Sequence, residues 1–363
     1  MKSVRDLMKS GVTDGVFPGG VLLVAKEGRV VFLDAFGLAR LAPERPMTTG
    51  TVFDLASLTK PLATTVAVML LAQDGKLDTD QTLGSVIQDC SNTDKAEITI
   101  RRLLSHTSGL PDYRPYYKKL MEIPLSERKA SLKKLLLAEE LIHEPGKVCL
   151  YSDVGFMILE WLVEITAQES LDRFVGDSVY GPLGLKHLFF IPLSAELSQV
   201  RNDQSYAATE DCPWRGKILD GEVHDDNAYV LGGVAGHAGL FGTAQDVYGL
   251  LKELLNIHEG KPNSGLFHQD VVQTFFRQQP GPGSWALGFD TPSKPDSSSG
   301  RHFSDQSVGH LGFTGTSFWM DLSKNLIVIL LANRIHPGRD NERIKTFRPL
   351  LHDTIMESIS RKE

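Results

Sequence analysis

The chain has 363 residues, 41% of them hydrophobic, and a formal charge of −7. That length and apolar content exclude a disordered chain and allow one large domain or two ordinary ones. The acidic balance gives no electrostatic reason to bind nucleic acid or an anionic membrane surface, so a small-molecule partner is expected.

The opening stretch "MKSVRDLMKSGVTDGVFPGG" carries charges and lacks an apolar core of signal-peptide length, so no export leader and a cytoplasmic location are expected. Three cysteines, Cys90, Cys149 and Cys212, are too few and scattered for a disulfide framework, which fits a reducing compartment. Residues 21–25 and 30–33 are valine-containing apolar runs separated by "KEGR", a hairpin signal. From Pro61 the texture turns helical to Gln73, with Pro just inside the start and Gly75 as the stop. Further helical periodicity runs through "ITIRRLLSH", "LSERKASLKKLLLAEEL", "DVGFMILEWLVEITAQ", "LDRFVGDSVY" and "AQDVYGLLKELLNI". Strand texture returns at "TSFWMD" and "NLIVILLAN", followed by an amphipathic stretch from about Asn341.

Neither "TVAVMLLA" nor "NLIVILLAN" approaches the ~20 residues that span a bilayer. Of the polar loops, "PGPGS" and "TPSKPDSSSG", the second is the better candidate for disorder. No repeat is evident. Strands, many helices, then strands predict a sheet built from both chain ends around a helical insertion.

"DLASLTKPLATT" (54–65) contains a Ser-x-x-Lys, but so do Ser126/Lys129 and Ser131/Lys134. Those two lie in a Lys/Glu-rich amphipathic stretch and read as a solvated charged face. Ser57 stands where strand-like "TVFDLA" gives way to the Pro61 helix, which puts Ser57 and Lys60 on one face of a first turn. A serine hydroxyl needs a base to attack, and a lysine can serve when its surroundings lower its pKa. The bland alternative is a capping Ser57 or Thr59 with a surface lysine.

Two more stretches favour chemistry. "GKVCLYSDVGF" places Tyr151, Ser152 and Asp153 before a strongly apolar helix, and "GHLGFTGTSFWMD" places His310, Leu311 and Gly312 before the last strands. In this order SLTK, YSD and HLG resemble the three motifs of the serine β-lactamase and penicillin-binding protein superfamily, closest to the class C β-lactamase branch with its carboxylesterases and D-aminopeptidases. "FPGGVLLVAKEGRVVF", "LLSHTSGLPDY", "VAGHAGLFGTAQDV" and "LLANRIHP" also look like family segments.

The resemblance implies an α+β, β-lactamase/transpeptidase-like fold: an antiparallel sheet of about five strands flanked by helices, plus a mainly helical inserted domain. Its expected division is 1–75 with 285–363, and 76–284. It implies Ser57 as acylated nucleophile, Lys60 as the lysine that helps take its proton, and Tyr151 as the assisting tyrosine. His310 takes the place of the third-motif lysine, backbone N–H groups of Ser57 and Phe313 form the oxyanion hole, and Asp153, Tyr113, Leu311 and Gly312 contact substrate. Neither cofactor nor metal is implied.

Two departures tilt the reading. Asp153 stands where Asn is usual, replacing an amide donor with a group that only accepts when ionised. His310 replaces a fixed cation with a group near neutrality at pH 7. An esterase or unusual amide hydrolase is therefore expected before a β-lactamase or D-Ala peptidase acting on muropeptides. A non-catalytic ligand-binding relative is the alternative of another class.

Other constellations have plainer readings. His224, Asp225 and Asp226 in "VHDDNAY", with His237 downstream, lack metal-site spacing and read as a loop lining the cleft, an aspartate satisfying backbone donors. "LGGVAG" lacks the order of a dinucleotide site. Tyr113, Tyr116 and Tyr117 read as cleft walls rather than nucleic-acid stackers.

Overall fold

The computed structural model describes residues 1–193, 204–293 and 295–360. Its strands are, in chain order, β1 (Gly19–Lys26), β2 (Arg29–Leu41), β3 (Glu44–Pro46), β4 (Phe53–Asp54), β5 (Leu188–Phe190), β6 (Asp211–Cys212), β7 (Lys217–Ile218), β8 (Leu240–Gly242), β9 (Ser307–Leu311), β10 (Ser317–Asp321) and β11 (Leu326–Ala332). The principal sheet is antiparallel in the order β3-β2-β1-β11-β10-β9. Six strands stand where about five were expected, and the three-residue edge strand β3 is too short to show periodicity.

The two central strands come from opposite ends of the chain, with Gly20 opposite Ala332 and Lys26 opposite Leu326. Both are buried on two faces, which is why neither alternates between apolar and polar residues. Val21, Leu23, Ile327, Ile329 and Leu331 join the larger core, against the Ala244–His258 helix and the inserted helices. Leu22, Val24, Leu326, Val328 and Leu330 join the smaller one, under the Lys2–Thr13 and Ile344–Ser360 helices. Between β1 and β2 the chain turns through Glu27 and Gly28, both at positive φ, the combination that suits a right-twisted hairpin.

The insertion is mainly helical and centres on Asp153–Ala167, which packs beside Val66–Gln73. It is not separated from the sheet by a break in packing: the larger core runs from Val21 to Leu331 through both parts. The insertion also supplies β5 and β8, which pair with β4 in a small sheet of order β4-β8-β5 beside Ser57.

Three local expectations are corrected. The helix after Ser57 does not start as an α-helix at Pro61; Lys60–Thr65 form a wide π-type turn before Val66–Gln73. Lys129, read as solvated, is half-buried and bridges Glu160 and Glu164 at 2.8 and 2.6 Å, an arrangement set by the neighbouring helix and invisible in local periodicity. In "TPSKPDSSSG" Lys294 lies outside the described residues, but the Ser298 carbonyl accepts from His352 Nδ1 at 2.8 Å and Ser299 is buried, so a tertiary partner orders what composition marked for disorder.

Among the described residues no helix is long and apolar enough to cross a membrane, and Cys90, Cys149 and Cys212 are free.

Candidate active site

Ser57 is presented by a braced, strained corner. β4 ends at Asp54, whose carboxylate accepts from the Ala56 N–H at 2.9 Å and the His224 N–H at 2.7 Å. Burial pushes the Asp54 carboxyl up, although both backbone donors pull the other way. Ala56 then adopts φ +48°, uncommon for a residue with a side chain, and the Ala56–Leu58 3₁₀ turn carries Ser57 into the cleft. Hydroxyl groups lock the corner: Thr59 donates to the Ala56 carbonyl at 2.6 Å, Thr314 to that of Asp54 at 2.8 Å, and Thr316 to that of Leu55 at 3.0 Å.

Lys60 is wholly buried. Its Nζ donates to Ser57 Oγ at 3.1 Å and to the His237 carbonyl at 3.1 Å, and lies 2.7 Å from an Asp153 carboxylate oxygen. Burial pulls the ammonium pKa down, but Asp153 and then Tyr151 outweigh it, and the net shift is upward. The Tyr151 ring lies 4.8 Å from Lys60 Nζ, and burial raises its phenol pKa against the opposing pull of the lysine charge. At neutral pH the resting site therefore holds a protonated Lys60 and a neutral Tyr151.

Tyr151 and Asp153 are placed by the start of the Asp153–Ala167 helix. Ser152 caps it, accepting from the Gly155 N–H at 3.0 Å while donating to the Pro111 carbonyl at 2.6 Å. The Ser152 N–H donates to His106 Nδ1 at 3.0 Å, so that ring carries its proton on Nε2, and burial holds its pKa well below the usual value. Its face packs 4.6 Å from Tyr151. The segment "LLSHTSGLPDY" thus acts as the bed of the second motif.

β9 brings the third motif alongside. His310 is buried, with ring centroids 5.9 Å from Tyr151 and 5.5 Å from Trp285. Its Nδ1 faces the Leu311 carbonyl at 2.9 Å; a carbonyl only accepts, so Nδ1 carries the proton and Nε2 keeps a lone pair. Burial, helped by the Lys60 charge, drops the His310 pKa to about 3, so the ring is neutral at pH 7. Gly312 has to be glycine, because a Cβ there would stand 2.0 Å from Thr316 Oγ1 and 2.7 Å from the Leu55 carbonyl. Phe313 is half exposed, between a stacked His224 ring at 5.7 Å and the Arg334 guanidinium at 4.5 Å.

These groups share a cleft of about 630 Å³, lined by Ser57, Tyr113, Tyr151, Asp153 and His310 through Phe313. Of the residues the resemblance assigns to the site, all but the fully buried Lys60 are on its wall. Tyr116 and Tyr117, read as cleft walls beside Tyr113, are not: Tyr116 is buried with its hydroxyl donating to Glu139 at 2.8 Å, and Tyr117 stacks on Trp214 at 5.8 Å. Asp225 lines the cleft as the loop reading had it, but its pairing with His237 was not foreseen, nor were the further wall residues. His237 Nε2 lies 2.9 Å from Asp225 and is held above its usual pKa, since that carboxylate outweighs burial; Asp225 also accepts from the Ala228 N–H at 2.7 Å. Trp285, Asp290, Arg334 and Arg348 line the cleft too. Among the described residues no three His, Cys, Asp or Glu side chains gather as a metal set.

The β-lactamase family model matches residues 4–352. A protein of Salmonella agona (strain SL483) named "Putative D-alanyl-D-alanine carboxypeptidase" is 32% identical over 355 residues, covering 91% of this chain and 82% of that one. The chain belongs to the β-lactamase family and is a serine hydrolase. In fold it is similar to EstCE1, a hydrolase with promiscuous acyltransferase activity (TM-score 0.71, 23% identity, 96% and 98% of the two chains). A class C β-lactamase shares the fold at TM-score 0.74 and 17% identity over 97% of each chain. So does simvastatin synthase from Aspergillus terreus, at 0.73 and 20% over 98% of each.

Proposed function

We propose that the chain cleaves esters, and by extension activated amides, through an acyl-enzyme on Ser57. The observation that carries this reading is Ser57 Oγ held 3.1 Å from a wholly buried Lys60 that is itself gripped by Asp153. Lys60 is protonated at rest, so it must first lose a proton, and the Asp153 carboxylate at 2.7 Å is the adjacent acceptor. The resulting neutral amine takes the Ser57 proton as Oγ bonds to the carbonyl carbon. The oxyanion is received by the Ser57 and Phe313 N–H groups, and the leaving group departs with a proton passed back through Lys60 or Tyr151. Water then attacks the ester, its proton goes to the same base, and Ser57 is released with the acid product.

Two features favour an ester. His310 is neutral, so the third motif offers no fixed positive charge to a substrate carboxylate. Asp153 is engaged by Lys60, leaving no side-chain amide donor for an acylamino side chain. Asp153→Asn tests the coupling. Without the carboxylate, burial dominates at Lys60 and favours the neutral amine, so the acidic limb of the ester pH–rate profile should move about one unit or more towards lower pH. An unmoved limb would show that Lys60 is not the titrating base.

A second reading, a carboxypeptidase like the named Salmonella relative, has its own observation. Arg334 and Arg348 are buried at the Gly312–Phe313 end of the cleft, and their guanidinium groups hydrogen bond to backbone carbonyls, with no carboxylate paired to either among the described residues. Such charge suits a peptide carboxylate. Intact mass after incubation with p-nitrophenyl butyrate and benzylpenicillin, beside release of D-alanine from D-Ala-D-Ala peptides, separates the readings. An acyl adduct mapped to Ser57 and ester turnover support the first; faster peptide cleavage than ester cleavage selects the second. A folded protein with neither adduct nor turnover is a binder, and both readings fall.

A further inference from the structure

We propose that Trp285 and Asp290 form a subsite for a protonated amine on the substrate, at the wall of the cleft beyond Tyr151 and His310. It extends the hydrolase reading by naming a chemical feature of the substrate.

Trp285 and Asp290 stand opposite each other across an antiparallel bridge, so their side chains project from one face, and both line the cleft. A second bridge fastens this hairpin to β9: the Asp290 N–H donates to the Gly309 carbonyl at 2.8 Å and the Gly309 N–H returns to that of Asp290 at 2.9 Å. The subsite is therefore fixed one residue from His310. The Trp285 ring lies 5.6 Å from that of Tyr151 and 4.4 Å from that of His106. A group bound against Trp285 is thus next to the reacting centre.

The carboxyl of Asp290 is poorly served for so enclosed a position. Its side-chain donor is Ser284 Oγ at a long 3.3 Å, and no lysine, arginine or histidine pairs with it among the described residues. Burial raises it to about 7, against the pull of Ser284 and the Thr291 N–H. The titratable groups around it bring no positive charge. Cys149 is pushed up by burial and then by the charge of Asp290 itself, His310 is neutral, and burial keeps Tyr151 protonated. Lys60 is committed to Asp153, and Arg334 and Arg348 are bonded beneath Gly312–Phe313. A carboxylate left without a cation beside a part-exposed indole on the cleft wall is matched by one ligand chemistry above all: an ammonium group, which pairs with the acid and lies against the ring.

Calorimetric titration of the full chain tests this without turnover. The probes are benzylamine, phenethylamine and 3-phenylpropylamine, each beside its matched alcohol, at about pH 8.5 and about pH 5.5, on either side of the Asp290 titration. At the higher pH at least one amine should bind about tenfold tighter than its alcohol. That advantage should shrink to about threefold or less at the lower pH, where Asp290 is protonated, and in Asp290→Asn. Asp290→Glu, which keeps the charge, should retain part of it. Equal binding of amine and alcohol at the higher pH in the wild type overturns the subsite, as does an advantage that survives Asp290→Asn. If that variant does not fold, the wild-type comparison between the two pH values decides. Absence of a Ser57 adduct would sink the hydrolase reading and leave these affinities unaffected, so the two failures are distinguishable.

Discussion

Ser57→Ala should lower kcat/KM for short-chain p-nitrophenyl esters by at least about 10⁴-fold, with no acyl adduct formed. Among the described residues the threonine hydroxyls beside Ser57, those of Thr59, Thr314 and Thr316, donate to backbone carbonyls at the corner itself, and the Tyr151 phenol is held protonated by burial. The fold should be little affected, because Ser57 is only part-buried and the Ala56 conformation is held by the Asp54 carboxylate and the Thr59 hydroxyl, not by the Ser57 side chain. Lys60 keeps Asp153 and the His237 carbonyl as partners. Initial rates, intact mass and a thermal melt read all three consequences together. Survival of more than about a tenth of wild-type turnover, in a variant that melts like the parent, would move the nucleophile elsewhere.

Lys60→Met should cost about 10²–10⁴-fold in kcat, the range for a positioned general base, with a smaller effect on KM. Methionine approximates the length of the buried stem while deleting the amine. A second consequence separates this from a merely structural lysine. The variant strands the Asp153 carboxylate, which is only 19% exposed, and breaking a buried pair from one side destabilises by about 3–5 kcal/mol, less here because Asp153 retains some access to water. Adding Asp153→Asn to Lys60→Met should therefore restore stability in a urea titration and leave activity low. If activity returned with stability, Lys60 would be a strut and not a base.

How much of this was legible in the sequence depended on whether the information was local. Strand texture at both ends of the chain was readable because hairpins are short-range, and a sheet built from both ends followed from it; that β1 lies directly beside β11 was not readable, because pairing between distant strands leaves no local signal. Ser57, Lys60, Tyr151 and His310 were legible because each sits in a motif whose residues are near neighbours along the chain. What they do to one another was not. The ion pair between Lys60 and Asp153 reverses the simple expectation of a lysine with a lowered pKa, since burial and pairing pull in opposite directions and only coordinates show which wins. Trp285 and Asp290 carried no motif, and their common face exists because a short bridge turns the segment back on itself and onto Gly309. Asp225 and His237 were weighed together as metal ligands and read as a cleft loop, but nothing in either stretch says that they pair with each other.

The neighbouring placement of β1 and β11 also bears on how the chain is made. During synthesis the β1–β2 hairpin leaves the ribosome with one edge of a strand that is apolar up to its last residue, Lys26, unpaired, and Leu326–Ala332, which covers it, emerges only after the whole helical insertion. Until then the nascent protein holds Ser57, Lys60 and Tyr151 with no sheet to bring His310 beside them, and an open strand edge of this kind invites pairing with other chains. A message truncated ahead of residue 326 would thus yield a chain with most of its chemistry present in sequence but no assembled site, and with every reason to be handed to a chaperone or a protease.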